Sequence, residues 1–387
     1  MIKADSVNDV LNKIKKDFEN REKSSHIVMI EDSLNHVLAS DIVSKVNIPS
    51  FDRAEIEGYA LNHESLYGAD YYDPINLDIS GKEQINDNEA KYVISGEALP
   101  KGADCVIDIE YVKEKDAVIS VNREIAKGHG VSFKGSKIKS GDVVLKKDTK
   151  LNPLNIGLLA SLNEFMVEVY KKIKVGVISF GEDITVVRTP EKDKDIDLNS
   201  YILSAELENK NVINIPYGIV DKKSSAKVLE KACDECDIVI VTVSSSFDYK
   251  EAFGENKVYS DEILVSPGED TLIMNYDHTP VFFLNGNPKD VYLLYNVFVR
   301  PVIDGFLNIE ENEPYIKARS IYNVPSKKGI NEYKPVILEK RDDGYYFEII
   351  EDDSLLSEFL SNTDGYILIP KDKDEIKKDE GVKVTLV

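Results

Sequence analysis

Hydrophobic spacing changes character several times along the chain. Over residues 6–18, Val7, Val10, Leu11, Ile14 and Phe18 recur at helical spacing, and Ser6 with Asp9 three positions on forms a capping-box pattern, so an amphipathic helix opens the chain. From about residue 27 to 150 the text becomes short alternating runs, IVMIEDS, KYVISGEALPKGADCVIDIEYV and AVISVNREIAKGHG, broken by Gly, Pro, Asn and Asp. That is the signature of a β-rich region with long turns. Asn152 and Pro153 read as N-cap and first residue of a short apolar helix, LNIGLLASL, and the lysine pair at 171 and 172 marks a boundary.

Beyond it, strand patterns at KVGVISF, NVINI and DIVIVTV alternate with helical patterns from Asn199 through SYILSAELENK and near residues 224–234. Such alternation predicts an α/β domain with a mainly parallel sheet. VFFL at 281–284 reads as a buried strand, Asn287 as the cap of the next helix and Pro288 as its first residue, with Val291, Leu294, Tyr295 and Phe298 on one face. The domain is expected to end near Leu307. After a charged linker from Asn308 to Pro314, the runs KPVILEK, GYYFEII, GYILIP and VKVTLV predict a small β-barrel-like C-terminal domain.

The formal charge of -22, from 70 acidic and 48 basic side chains, argues against nucleic acid as a partner, because that affinity comes from clustered Lys and Arg. A small anionic ligand must then be held locally, by backbone N–H groups at helix starts or by a few placed lysines. The start, MIKADSVNDV, has no signal-type apolar stretch, and no run approaches the ~20 apolar residues of a membrane span. A cytoplasmic protein without a membrane partner is expected. Cys105, Cys233 and Cys236 give no disulfide framework, and the Cys233–Cys236 pair lacks the further Cys or His of a metal site, so it reads as structural.

Ligands of open α/β sheets bind beyond the carboxyl ends of the strands, so the turns SFGEDI, SSSFDYKE and LNGNPKD are expected to meet at one crevice. In the first, Gly181 frees the backbone and Glu182 and Asp183 offer hard oxygens to a divalent cation. The second presents Ser244, Ser245, Ser246 and Asp248. In the third, Gly286, Asn287 and Pro288 place a helix start at a strand end. Taken singly, each is equally an ordinary strand-to-helix turn. The five histidines lack zinc-site spacing, no nucleophile and base pair emerges, and neither a G-x-G-x-x-G nor a Walker loop is present, which excludes the usual dehydrogenase and P-loop readings.

Over nearly its whole length the chain resembles the molybdopterin molybdotransferase family, the MoeA and gephyrin E-domain proteins. VLASDIVSKVNIPSFDRAEIEGYAL at 37–61 is similar to the family's lead-in to its Asp-Gly-Tyr-Ala signature, and ISGEALPKGADCVI to its Thr-Gly-x-x-Leu-Pro-x-Gly-Ala-Asp segment. GSKIKSGDVVLKKDTKLNPLNIGLLASL, VGVISFGEDI, DIDLNSYIL and FFLNGNPKDV follow in family order.

The resemblance implies a multidomain α/β plus β protein with an elongated subunit. Its parts would be an N-terminal helical domain (1–172) carrying a β-rich lid (about 45–140), a doubly wound α/β molybdopterin-binding domain (173–309) and a C-terminal β-barrel-like domain (314–387). It also implies a homodimer whose active site lies between the α/β domain of one subunit and the lid of the other. The implied reaction inserts molybdate into adenylylated molybdopterin with Mg²⁺ and releases AMP. Carried over, Gly181, Asn199, Ser200, Ser244, Ser245, Gly286, Asn287 and Pro288 would bind the adenylyl-pterin, with Ser95 and Gly96 from the lid. Glu57, Asp183 and Asp248 would be catalytic, and Glu182 and Asp183 would hold Mg²⁺.

Some positions depart from the family pattern. Glu57 replaces an Asp, and Glu182 and Asp183 stand where the family has Asp and Glu. Thr242-Val243-Ser244 replaces Ser-Gly-Gly, and aligning Asp248 needs a one-residue gap. The Pro before the Gly-Asn-Pro turn is Asn285. Ser266-Pro267-Gly268-Glu269 lacks the flanking lysines, and Ser132 takes the place of an arginine. These changes leave a catalytically degenerate pterin-binding or scaffold paralogue as the alternative reading.

Overall fold

The computed structural model describes residues 5–18, 21, 23–208, 211–244, 257–260, 263–268, 271–309, 314–351 and 354–386. The capping box forms: the Ser6 Oγ accepts from the Asp9 N–H, and the Asp9 carboxylate from the Ser6 N–H, each at 3.2 Å. The helix it starts, Val7–Phe18, buries Val7, Val10 and Ile14. These side chains share one core with Ile303 and Leu307 of the Arg300–Leu307 helix, at the far end of the α/β sheet's sequence. Hydrophobic periodicity shows that a helix has an apolar face; it does not say which layer covers that face.

From Ser25 to Tyr170 the chain runs out and back through three antiparallel ribbons. Ser25–Met29 pairs with Met166–Tyr170, Ile42–Val43 with Val143–Leu145, and Arg53–Ala54 with Val131–Ser132. Beyond the last ribbon stands an outer sheet of six strands, in the order Cys105–Asp108, Gly58–Leu61, Glu89–Val93, Ile75–Ile79, Val118–Val121 and Val112–Lys115. Its alternation separates two small cores. Tyr59 and Leu61 pack with Leu77, Ile107 and Ile119, while Ala60 faces Val93, Val106 and Val131. On the return path Asn152 and Asn155 cap each other's backbone at 2.9 and 3.0 Å, and Pro153 opens the helix Pro153–Ser161.

The α/β sheet is mixed, with strand order Val212–Val220, Ile173–Phe180, Ile238–Val243, Thr279–Asn285, Leu272–Tyr276, Lys257–Ser260. The first four run parallel; Leu272–Tyr276 runs antiparallel to both of its neighbours, Thr279–Asn285 and Lys257–Ser260. Both faces are covered, which is why the strands read as continuous apolar runs. Ile238 and Ile240 face the Asn199–Glu208 helix and the 288–307 helical stretch, whereas Val239, Val241 and Val243 face the Ser225–Glu235 helix. Cys233 and Cys236 belong to that second face; burial pushes the Cys233 thiol up to about 12 and raises Cys236 as well, so both act as packing residues.

The one-faced helix expected after Pro288 is an α-helix to Leu294, a π-turn over Tyr295–Val299 and a second α-helix to Leu307. All five residues of the π-turn are buried. The stretch lies in a core that the opening helix also enters, so apolar side chains beyond a single stripe are covered.

The C-terminal strands close on themselves. Asn331–Arg341 pairs with both Gly344–Ile349 and Gly365–Ile369; Tyr315–Ser320 links Gly344–Ile349 to Gly381–Leu386, which returns to Gly365–Ile369. This is a five-stranded barrel around Val336, Phe347, Ile367, Ile369 and Val384. Val265–Ser266, from the α/β portion, adds alongside Asn331–Glu332 and brings the Pro267-Gly268 turn to the barrel. Among the described residues no helix is long and apolar enough to cross a membrane.

Candidate functional site

The ends of three adjacent parallel strands build the crevice. Phe180 lies in register with Val243, and Val243 with Asn285, so the next residues, Gly181, Ser244 and Gly286, emerge at one edge. Packing there dictates residue type. A Cβ on Gly181 would stand 2.6 Å from the Ser244 Oγ, and one on Gly286 2.5 Å from the Val243 carbonyl oxygen. Residues without side chains are what let the outer turns close on the middle one. Asn199, at the start of its helix, ties the assembly together by donating from Nδ2 to the Gly286 carbonyl at 2.7 Å.

Beneath this edge lies a buried carboxylate that the sequence analysis did not single out. Asp197 accepts from the Ser179 Oγ at 2.6 Å and from the Ser200 N–H at 3.2 Å, and the Thr242 Oγ1 donates to the Ser179 Oγ at 3.4 Å. Asp197 therefore joins a strand end to the helix that carries Asn199. Its signal in the sequence was an Asp two residues ahead of a helix start, inside the DLNSY segment. The Asn199 Oδ1 is buried and has no hydrogen-bond partner among the described residues. Such an acceptor is one that a ligand can satisfy.

Glu182 is exposed and Asp183 half-buried. The Asp183 Oδ1 lies 3.1 Å from where a Gly181 Cβ would stand, so this carboxylate folds back over the glycine towards Ser244. Among the described residues no three His, Cys, Asp or Glu side chains gather into a metal-ligand group. Two carboxylates on one turn still match Mg²⁺, which keeps waters and takes its other oxygens from phosphate. Asn287 caps its helix, its side-chain oxygen accepting from the Lys289 N–H at 3.0 Å with Pro288 as the first helical residue. Ser245 and Asp248 lie outside the described residues, as does Glu269.

Glu57, Ser95 and Gly96 lie together in the turns beside the outer strands Gly58–Leu61 and Glu89–Val93. The Ser95 Oγ donates to the Glu55 carbonyl at 2.9 Å, the Gly96 N–H donates to the Ala54 carbonyl at 2.8 Å, and the Tyr92 hydroxyl donates to the Glu57 carboxylate. That bond to a carboxylate, with some burial, raises the Tyr92 pKa above the usual tyrosine value.

On the barrel side of the Gly286 turn opens a cavity of about 320 Å³, lined by Ser266, Pro267, Gly268, Asn285, Asn287, Lys289, Lys327 and Lys334 among others. The Lys289 Nζ donates to the Glu351 carbonyl at 2.6 Å. Buried Glu332 lies between the barrel lysines, 3.9 Å from the Lys334 Nζ and accepting from the Lys327 N–H at 3.0 Å. Lysines from the following helix and from the barrel side thus line one cavity with the Pro267-Gly268 turn. Sequence spacing could not show this, because strand 331–341 reaches the turn only through the tertiary fold.

A crevice at the ends of parallel strands, a β-rich insertion and a closed five-stranded barrel define a multidomain α/β protein. Residues 5–163 match the family model for the MoeA N-terminal region (domain I and II), and residues 317–387 that for the MoeA C-terminal region (domain IV). A molybdopterin molybdenumtransferase of Staphylococcus aureus is 30% identical over 75% of this chain and 73% of its own length. A putative molybdopterin biosynthesis protein of Methanocaldococcus jannaschii is 28% identical, over 98% of this chain and 96% of its own. The crystal structure of a molybdopterin biosynthesis MoeA protein from Pyrococcus horikoshii superposes with a TM-score of 0.86 at 29% identity, covering 100% of both chains. The chain belongs to the MoeA family of molybdopterin biosynthesis proteins.

Proposed function

We propose that this chain is a molybdopterin molybdotransferase, which takes adenylylated molybdopterin and molybdate, releases AMP and leaves the metal on the pterin dithiolene. The observation that carries the reading is the Asn199–Gly286 bond, with Gly181 and Ser244 closed against it and an unmatched Asn199 oxygen alongside. Gly181, Asn199, Ser200, Ser244, Gly286, Asn287 and Pro288 hold the adenylyl-pterin, and Lys289, Lys327 and Lys334 offset anionic charge on the barrel side. Glu182 and Asp183 hold Mg²⁺, which when bound supplies positive charge against the phosphate oxygens.

The lid, residues about 45–140, presents Glu57, Ser95 and Gly96 to the crevice of a second subunit. Two observations support a homodimer. The three lid residues bond to Tyr92, Glu55 and Ala54 of the lid itself among the described residues, and Ile27, Met29, Phe165 and Met166 form an exposed apolar face on the first ribbon. Three buried, unpaired thiols support a reducing, cytoplasmic setting.

The test is to supply adenylylated molybdopterin, Mg²⁺ and molybdate and to measure AMP. Release above background with wild type, and its loss with Asn199→Ala, is the expected result. Tight pterin binding without AMP would instead identify a scaffold paralogue, the reading favoured by Ser132 and by the missing lysines around Pro267-Gly268.

A further inference from the structure

At the joint where the N-terminal ribbon enters the α/β sheet, the molecule concentrates positive charge against its overall sign. A cavity of about 80 Å³ lies there between the ribbon's base, the start of the Ile173–Phe180 strand and the end of the Arg300–Leu307 helix. Arg21, Lys23, Lys171 and Lys172 line it, with Asp237 as the one carboxylate of the lining among the described residues. That carboxylate is already engaged: one oxygen pairs with Arg21 and the other accepts from the Lys174 N–H at 2.6 Å. Asp148, a carboxylate whose charge acts on Lys23, accepts from the Asn308 Nδ2 at 3.0 Å.

Lys23 is the informative residue. Its nitrogen is shielded from solvent and has no hydrogen-bond acceptor among the described residues; it sits over the Tyr170 ring at 5.5 Å, with Lys147 over the same ring at 5.9 Å. A shielded ammonium without an acceptor, among other cations, is an unfavourable arrangement that a bound anion relieves.

We infer that this joint is a binding site for a tetrahedral oxyanion, a phosphate, sulfate or molybdate ion, gripped by Lys23, Arg21, Lys171 and Lys172. The cavity is of the size of an inorganic ion and excludes a nucleoside. The ion ties together segments separated in sequence: the exit of the opening helix, the returning ribbon and the edge of the sheet. This site is separate from the crevice and does not depend on the function proposed for it.

Calorimetry on the full chain with inorganic phosphate, sulfate and molybdate, at ionic strength fixed with chloride, tests it. Saturable binding is expected, weakened at least about tenfold by Lys23→Met, the loss that follows from removing one charge-assisted hydrogen bond. The exposed pair Lys171→Gln and Lys172→Gln should weaken binding in the same direction, a control for misfolding of the Lys23 variant. AMP should not compete for this site. Isotherms unchanged in both variants, loss of binding on Lys334→Met instead, or displacement by AMP would each move the ion to the crevice and overturn the proposal.

Discussion

The crevice and the lid hold their candidate residues in opposite ways. In the crevice, Gly181, Ser244, Gly286 and Asn199 are locked to one another by close packing and a 2.7 Å bond. On the lid, Gly96 has open space where a Cβ would stand, and the bonds of Glu57 and Ser95 run to Tyr92 and Glu55 of the lid itself among the described residues. One half of the site is fixed by its own chain. In the proposed homodimer the other is a surface offered to the partner's crevice, and substitutions in the two halves should therefore fail differently.

The largest effect is expected at Gly286. A methyl placed 2.5 Å from the Val243 carbonyl forces the turns apart, so Gly286→Ala should cost about 1–3 kcal/mol in urea denaturation and reduce AMP release by about a hundredfold. Asn199→Ala keeps the fold and removes the tie, lowering kcat/KM for AMP release roughly ten- to thirtyfold. Mixing Asn199→Ala subunits with Glu57→Ala subunits sharpens the comparison. Mixed dimers regain activity when the lid serves the partner's crevice, and stay inactive when it serves its own.

A smaller change is expected at the barrel. Lys334→Met removes one partly screened cation and should raise KM by about fivefold without lowering the denaturation midpoint. Gly96→Ala meets no atom, but its φ of 88° is unfavourable for a side chain, so about 1 kcal/mol of stability is lost.

The smallest effect concerns Lys23. Burial first, and then the Lys147 and Arg21 charges, hold its amine below the usual lysine value against the pull of Asp148. The folded state then binds the proton less tightly than the unfolded chain, a penalty present at neutral pH that fades as pH rises through the lowered pKa. In anion-free buffer Lys23→Met should raise the melting midpoint slightly at pH 7, with the gain shrinking towards pH 10.

Local periodicity and capping made much of the secondary structure legible. Ser6 with Asp9, Asn152 with Pro153, and Asn287 with Pro288 all mark real helix starts, and the apolar runs of the sheet mark real strands. Tyr315–Ser320 was missed because its YIKARS text alternates weakly, and only closure of the barrel gives it two partners. Val243 shows the same limit. The family resemblance sets it against a glycine, yet it is buried in the second face of the sheet, so Val243→Gly should cost about 1.5–3 kcal/mol in packing alone.

What the sequence determined by itself was the order of elements, their caps and the three turns that could carry chemistry, because these depend on residues a few positions apart. Tertiary structure alone decided that the opening helix packs into the α/β core, that Asp197 supports Asn199, that barrel lysines face the Pro267-Gly268 turn, and that Lys23 lies shielded among other cations. Those facts depend on side chains and surfaces brought together by the fold, across separations from 18 residues at Ser179 and Asp197 to well over a hundred at Lys23 and Lys171, where period says nothing of the partner.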